Sequence, residues 1–178
     1  DEEWMGYRAT ILMGLGVLDA EGQPTALLDV VKAGDMARLD ADTFAAERKR
    51  ITDTCGKCHS KSFWEANIAS ADQMLKEADK VFAEAINIVA GLRRDGIIEV
   101  GEGEGVYPQL LSFYEVDTSV EQHLYDMFMD YRMKTFQGAF HINPDYTTWY
   151  GYAKMKQALA EIKELDHQMR KWAAADEN

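Results

Sequence analysis

No stretch of this sequence approaches the roughly 18 consecutive apolar residues that a membrane-spanning helix needs. The nearest run, Ile11 to Leu18, is short and is interrupted by Gly14 and Gly16. Basic residues are scarce against acidic ones, and the formal net charge is −12. That balance argues against nucleic acid and anionic membrane surfaces as partners, and suits a protein that meets a basic partner such as a small electron carrier. Cysteine occurs only at positions 55 and 58, so no second pair is present to complete a zinc site. A secretory leader and an initiator methionine are both missing. A chain that begins at Asp1 is expected to be processed, or to be a piece of a longer one. Strand-like alternation is absent throughout, and 178 residues make one domain of ordinary size.

What is present centres on Cys55-Gly56-Lys57-Cys58-His59. This C-x-x-C-H run reads as a covalent attachment site for haem c. Two thiols add to the haem vinyl groups, and the adjacent His59 reaches the iron as a neutral imidazole. Three other chemistries fit less well, and a run without any role is the remaining alternative. A redox dithiol expects a surrounding βαβ pattern, a zinc site expects further ligands, and a structural disulfide leaves the adjoining histidine unexplained. Covalent haem attachment takes place outside the cytoplasm, so a periplasm-like compartment follows from this motif.

The remaining pattern is helical. Residues 1 to 19 are expected to form a helix with Trp4, Ile11, Leu12, Leu15 and Leu18 as its apolar positions, ended by the Glu21-Gly22-Gln23-Pro24 turn. Residues 25 to 40 are a short helix or an irregular connector. Asp42 is expected to cap a helix that runs through Phe44, Arg48 and Ile51 into the haem motif. Ser62-Phe63-Trp64-Glu65 has the form of a capping box. After it Ile68, Ala71, Leu75, Ala78, Phe82, Ala85, Val89 and Leu92 alternate steps of three and four, the seam of a long coiled-coil-like helix. Arg93, Arg94 and Gly96 suit its end. Residues 96 to 117 are a connector in which Gly101, Gly103 and Gly105 alternate with acids, and Tyr107 to Val116 is apolar enough to pack. Thr118-Ser119-Val120-Glu121 is a second capping box, opening a helix with Val120, Leu124, Met127 and Tyr131 on one seam and an end near Phe140. Asn143-Pro144 restarts a helix, and Met155, Ala158, Ile162, Leu165, Met169 and Trp172 form the last seam. The fold class expected is all-α: residues 1–61 a helical segment with the haem site, and residues 62–178 a coiled-coil-like three-helix bundle.

Of the four histidines, His59 is committed to the haem and His167 lies among polar neighbours. His123 and His141 are the candidate distal ligands. His123 lies beside a seam residue, and His141 lies at a helix junction where side chains are well placed to face a cofactor. The nine methionines keep His/Met ligation open, though most of them, such as Met74, Met127, Met155 and Met169, fall on or near the seams, where packing is their expected role. Around His141 the chain is dense in aromatics, which by themselves read as a cluster packing the junction.

The phrase Phe140-His141-x-Asn143-Pro144-Asp145-Tyr146-Thr147-x-Trp149-Tyr150-Gly151, between a long helix and a terminal one, resembles the C-terminal part of the octahaem hydroxylamine oxidoreductase family. Hydroxylamine oxidases and hydrazine dehydrogenases belong to that family. The Gly22-Gln23-Pro24-Thr25 turn and the Cys55 to His59 motif are similar to its last haem-binding segment. The resemblance spans essentially all of this chain and about the final third of a family member. It departs in one respect: an octahaem protein has a motif for each haem, and this chain has one. The resemblance implies a trimer or higher assembly with other haem-bearing segments or subunits, an electron-accepting cytochrome, and a periplasmic or anammoxosome-type compartment. It also implies dehydrogenation of a small nitrogen compound, hydroxylamine or hydrazine, and a C-terminal tyrosine bonded to a neighbouring subunit's catalytic haem. Tyr146 matches that tyrosine, with Tyr150 and Tyr152 as alternatives. A single-haem electron-transfer cytochrome and an accessory subunit of a multihaem complex are the competing readings.

Overall fold

A computed structural model of the chain describes residues 1–33, 40–102, 104–111 and 118–176. Among these the molecule is helical and forms no strand, with one isolated bridge between Leu18 and Pro24. The helices are α1 (Glu2–Gly14), α2 (Leu27–Ala33), α3 (Ala41–Cys55), α4 (Lys61–Arg94), α5 (Ser119–Asp126), α6 (Met133–Phe140) and α7 (Ala153–Asp176). Two π-helical stretches, π1 (Met127–Arg132) and π2 (Tyr146–Tyr152), join α5 to α6 and lead into α7.

α4 is the axis of the fold, 34 residues and so about 50 Å long. Its expected seam is buried from Leu75 through Ala78, Phe82, Ala85 and Val89 to Leu92. Ile68 and Ala71, nearer the haem motif, are only half-buried, so the first part of α4 runs out beyond the bundle. Val120, Leu124, Met127, Met155, Ala158 and Ile162 close the core from α5, π1 and α7. Trp172, expected on the last seam, is exposed because the core ends a turn earlier at Met169. α1 adds a fourth helix against α4. Ile86 presses on Gly14, where an added Cβ would lie 2.8 Å from its Cδ1.

Ion pairs set the helix register. Asp79 meets Arg132 at 2.6 Å and Arg93 meets Glu121 at 3.2 Å, so α5–α6 runs antiparallel to α4. Arg170 meets Asp95 at 2.6 Å, and Lys163 pairs with Glu84, so α7 runs parallel to α4. Along α6 the inward positions are Thr135, Gly138 and Ala139. A continued heptad from Tyr131 would place Lys134 inside; the wide turn of π1 takes up one extra residue and brings Thr135 in instead. There Gly138 lies against Thr147 and Gly151 against Thr135, so tightly that a Cβ on either glycine would overlap threonine backbone. Two glycine–threonine contacts thus clamp α6 to π2.

The helix ends correct several expectations. α1 stops at Gly14 rather than running to residue 19, because Gly16 takes φ +73° and the Val17 N–H returns to the Leu12 carbonyl at 2.9 Å. α3 is capped by Asp40, which accepts the Thr43 N–H at 2.7 Å, and not by Asp42. α4 starts at Lys61 with Ser60 at the cap, so Ser62 is already helical and Glu65 pairs with Lys61 at 3.6 Å rather than completing a box. Thr118 does cap α5, accepting the Glu121 N–H at 3.3 Å, while the Glu121 carboxylate accepts from the Thr118 hydroxyl and from Arg93. Gly96, at φ +72°, ends α4 as expected, with Ile97 N–H on the Leu92 carbonyl at 2.9 Å. Residues 25–40, expected to be a short helix or an irregular connector, form the short helix α2, and 34–39 lie outside the described residues, as do Gly103 and 112–117 of the second connector. Tyr107 and Leu110 of that connector pack on the core.

Candidate functional site

α3 delivers the haem motif. Its last turn carries Cys55 and continues as a tight turn, in which the Cys58 and His59 N–H groups both reach the Cys55 carbonyl, at 3.2 and 3.0 Å. The two thiols therefore lie on one turn. Neither is in a disulfide, and Cys55 is half-buried and Cys58 exposed. His59 is exposed and its imidazole stacks on Phe63 of α4, ring centres 4.7 Å apart. α3 itself buries no residue fully. A 2.6 Å ion pair from Arg48 to Asp72 ties it to α4, and Arg48 also lies over the Phe44 ring. Phe44 and Phe63 stay largely exposed on this hairpin. Two thiols on one turn, an accessible imidazole and half-exposed apolar rings fit a flat, covalently attached macrocycle. Among the described residues no cluster of three or more His, Cys, Asp or Glu offers a metal site.

The other expected site residues separate into two groups. His141, Tyr146, Tyr150 and the surrounding rings lie at the end of the bundle that faces the haem hairpin. There Asn143 caps the restart, its side chain accepting the Tyr146 N–H at 3.0 Å. Tyr146 is half-exposed and stacks on Tyr150, centres 5.4 Å apart. Trp149 and Tyr150 are 68% and 60% exposed. Tyr152 turns inward against the core, and burial, then the nearby Glu77, pushes its hydroxyl pKa up. His123 lies elsewhere. It is two residues from Glu121, at the Arg93 end of α4, and its Nδ1 faces Glu161 of α7 at 3.3 Å. Lys61 to Arg93 spans about 48 Å of helix, so His123 is excluded as a ligand to iron held by His59 of the same chain. His167 is exposed on α7.

Residues 32–104 match the family described as "Seven times multi-haem cytochrome CxxCH", over the stretch that holds Cys55, Cys58 and His59. The chain carries covalently bound haem c. That match supports a role in haem-based electron transfer. The fold is similar to that of a chain in the Kuenenia stuttgartiensis reducing HAO-like protein complex, with a TM-score of 0.67, 19% identity and 78% of this chain covered. At that identity the likeness is one of fold, and the match spans 35% of the length of the other chain. No curated protein matches. No described helix is long and apolar enough to cross a membrane.

Sequence reasoning missed one buried charge. Asp79 lies inside the α4 seam, 1% exposed, and accepts from Trp4 Nε1 at 2.8 Å, Arg8 Nε at 3.3 Å and Arg132 Nη2 at 2.6 Å. An acid directly after seam residue Ala78 was the available signal; its partners are 53 to 75 residues away. It also missed the clamp, whose signal was the spacing Thr135-x-x-Gly138 and Thr147-x-x-x-Gly151.

Proposed function

We propose that this chain works within a multihaem oxidoreductase that oxidises hydroxylamine or hydrazine, holding one electron-relay haem and supplying Tyr146 to a neighbouring subunit's catalytic haem. A bound haem would supply the dehydrogenation chemistry. Cys55 and Cys58 would anchor the relay haem and His59 would ligate it, with its imidazole stacked on Phe63. The groups that take the substrate's protons belong to other segments.

One observation carries the tyrosine assignment. Tyr146 sits on the first turn of π2, its backbone pinned by the Asn143 cap, with its ring stacked on Tyr150 and half-exposed at the haem-facing end. Its own core does not use it. Tyr150 shares that placement, and Tyr152 does not. The net charge of −12 suits delivery of electrons to a basic carrier. An extracytoplasmic compartment, a trimeric or higher assembly and haem-bearing partners complete this reading.

Peptide mass mapping of the native, unreduced assembly tests it. Haem is expected on the Cys55–Cys58 peptide and a second haem adduct on the peptide that contains Tyr146. Tyr146→Phe should remove that adduct and the oxidative activity while leaving the absorption of the Cys55/Cys58 haem unchanged. Retained oxidative activity in this variant sinks the assignment. A reductive role is the second reading, favoured by the structural neighbour's description as reducing. Absence of the adduct together with reductive turnover of a small nitrogen compound would establish it. A lone low-spin haem with no larger multihaem partner would instead leave a single-haem electron carrier.

A further inference from the structure

Gly138 of α6 and Gly151 of π2 are not there for backbone freedom. Both lie outside the positive-φ region that Gly16, Gly22 and Gly96 occupy. Glycine inside a helix costs stability relative to alanine, so each needs another reason. Contact supplies it. A Cβ on Gly138 would lie 2.6 Å from the Thr147 N and 2.8 Å from its Cα, and one on Gly151 would lie 2.7 Å from the Thr135 Cα. These are backbone atoms, so rotating a side chain relieves neither overlap. Hydrogen bonds carry the Gly138 contact into the aromatic turn. The Gly138 carbonyl accepts the Asn143 N–H at 2.9 Å. The Asn143 side chain accepts the Tyr146 N–H at 3.0 Å, and its carbonyl accepts the Thr147 N–H at 3.0 Å and the Thr147 hydroxyl at 2.7 Å. Gly138 thus meets this turn at both ends, through its carbonyl at Asn143 and through its bare Cα at Thr147. Tyr146 directly precedes Thr147, as Tyr150 precedes Gly151, and the two tyrosine rings stack. Thr147 and Gly151 are buried, whereas Tyr146 is half-exposed and Tyr150 is exposed. Rings with so little packing of their own take their direction from the backbone beneath them.

We propose that Gly138 is a positioning residue, which seats Asn143 and Thr147 on α6 and through them sets the reach of the Tyr146 ring toward a neighbouring subunit's haem. The inference rests on the reading of Tyr146 given above and adds the residue that aims it. Real Cβ atoms do not approach other atoms within 3.0 Å. Gly138→Ala must therefore part α6 from the turn by several tenths of an ångström. The phenol keeps its chemistry and loses its place. A misplacement of about 1 Å can slow a geometry-dependent step about a hundredfold.

The test compares Gly138→Ala, Thr147→Val and Leu124→Ala with the parent in the native assembly. Thr147→Val keeps the shape of the side chain and removes only its hydroxyl bond to Asn143. Leu124→Ala opens a core cavity near the Arg93 end of α4, away from the turn, and controls for lost stability. Residue-level hydrogen exchange reads the Tyr146 and Thr147 N–H groups, and peptide mass mapping reads haem on the Tyr146 peptide. In Gly138→Ala both N–H groups should exchange about tenfold faster. The Tyr146 adduct should fall about tenfold or more, with haem on the Cys55–Cys58 peptide unchanged. Thr147→Val should move both readings the same way and less far. Leu124→Ala should lower the thermal transition and leave the adduct in place. An undiminished adduct in a folded Gly138→Ala chain overturns the assignment, and so does an equal loss in Leu124→Ala, which would make stability the cause. If Gly138→Ala does not fold, the same readings on Thr147→Val decide it. If the parent carries no adduct, the Tyr146 reading falls by itself, and unchanged exchange in Gly138→Ala is then what overturns the positioning.

Discussion

Asp79 is the residue on which three elements converge. Its carboxylate is buried and satisfied by Trp4 and Arg8 from α1 and by both Nε and Nη2 of Arg132 from π1. A buried ion pair adds little over an apolar substitute, but removing one partner strands the other. Asp79→Ala should therefore lower stability by about 3 kcal/mol, measured by urea unfolding followed by circular dichroism. Asp79→Ala with Arg132→Met should recover part of that loss, because it strands no charge in the core. If the single variant unfolds like the parent, this node does not hold the helices together.

At the scale of elements, the hairpin of α3 and the start of α4 differs from the bundle it leaves. The bundle is held by a continuous core and the glycine–threonine clamp of α6 on π2. α3 is held by its cap, the Arg48–Asp72 pair and partial burial. Asp40 accepts both the N–H and the hydroxyl of Thr43, first through the N–H, and these bonds keep its pKa below the ordinary carboxylate value. A group depressed in the folded state contributes stability above its unfolded pKa and loses it as pH falls through the folded one. Hydrogen exchange at the Thr43 N–H should thus accelerate, beyond its intrinsic pH trend, as pH drops from about 4 downward. Asp40→Asn keeps a capping oxygen and should flatten that dependence; the same acceleration in the variant would locate the titrating group elsewhere.

For the whole molecule, the division of labour is one of burial. The four-helix core of α1, α4, α5–α6 and α7 closes on itself, whereas the haem hairpin and the aromatic end leave rings bare. Cys55→Ala with Cys58→Ala removes the covalent anchor. The bundle should keep its cooperative thermal transition, while helicity over 41–60 falls, since that hairpin would lose a covalently tethered apolar group and α3 buries no residue fully. Circular dichroism and residue-level hydrogen exchange measure both. A collapse of the whole transition would show that the haem is part of the core.

Much was legible from the sequence because it depends on local chemistry. The C-x-x-C-H run names its cofactor by spacing alone. The α4 seam, the Thr118 cap, the Asn143 restart and the Gly96 stop each follow from residues within a turn or two of one another. What the sequence left open depends on which elements meet. Asp40 took the cap from Asp42, and Ser60 took it from Ser62, because helix starts are settled by a turn of backbone that several neighbouring residues can close. Thr135 displaced Lys134 at the interface because π1 accommodates the close approach of π2, a distance no one-dimensional period encodes. His123 and His141 looked alike as isolated histidines. The antiparallel register of α5–α6 on α4 sent one to each end of a helix about 50 Å long, His123 beside Glu161 and His141 against the Gln137 carbonyl.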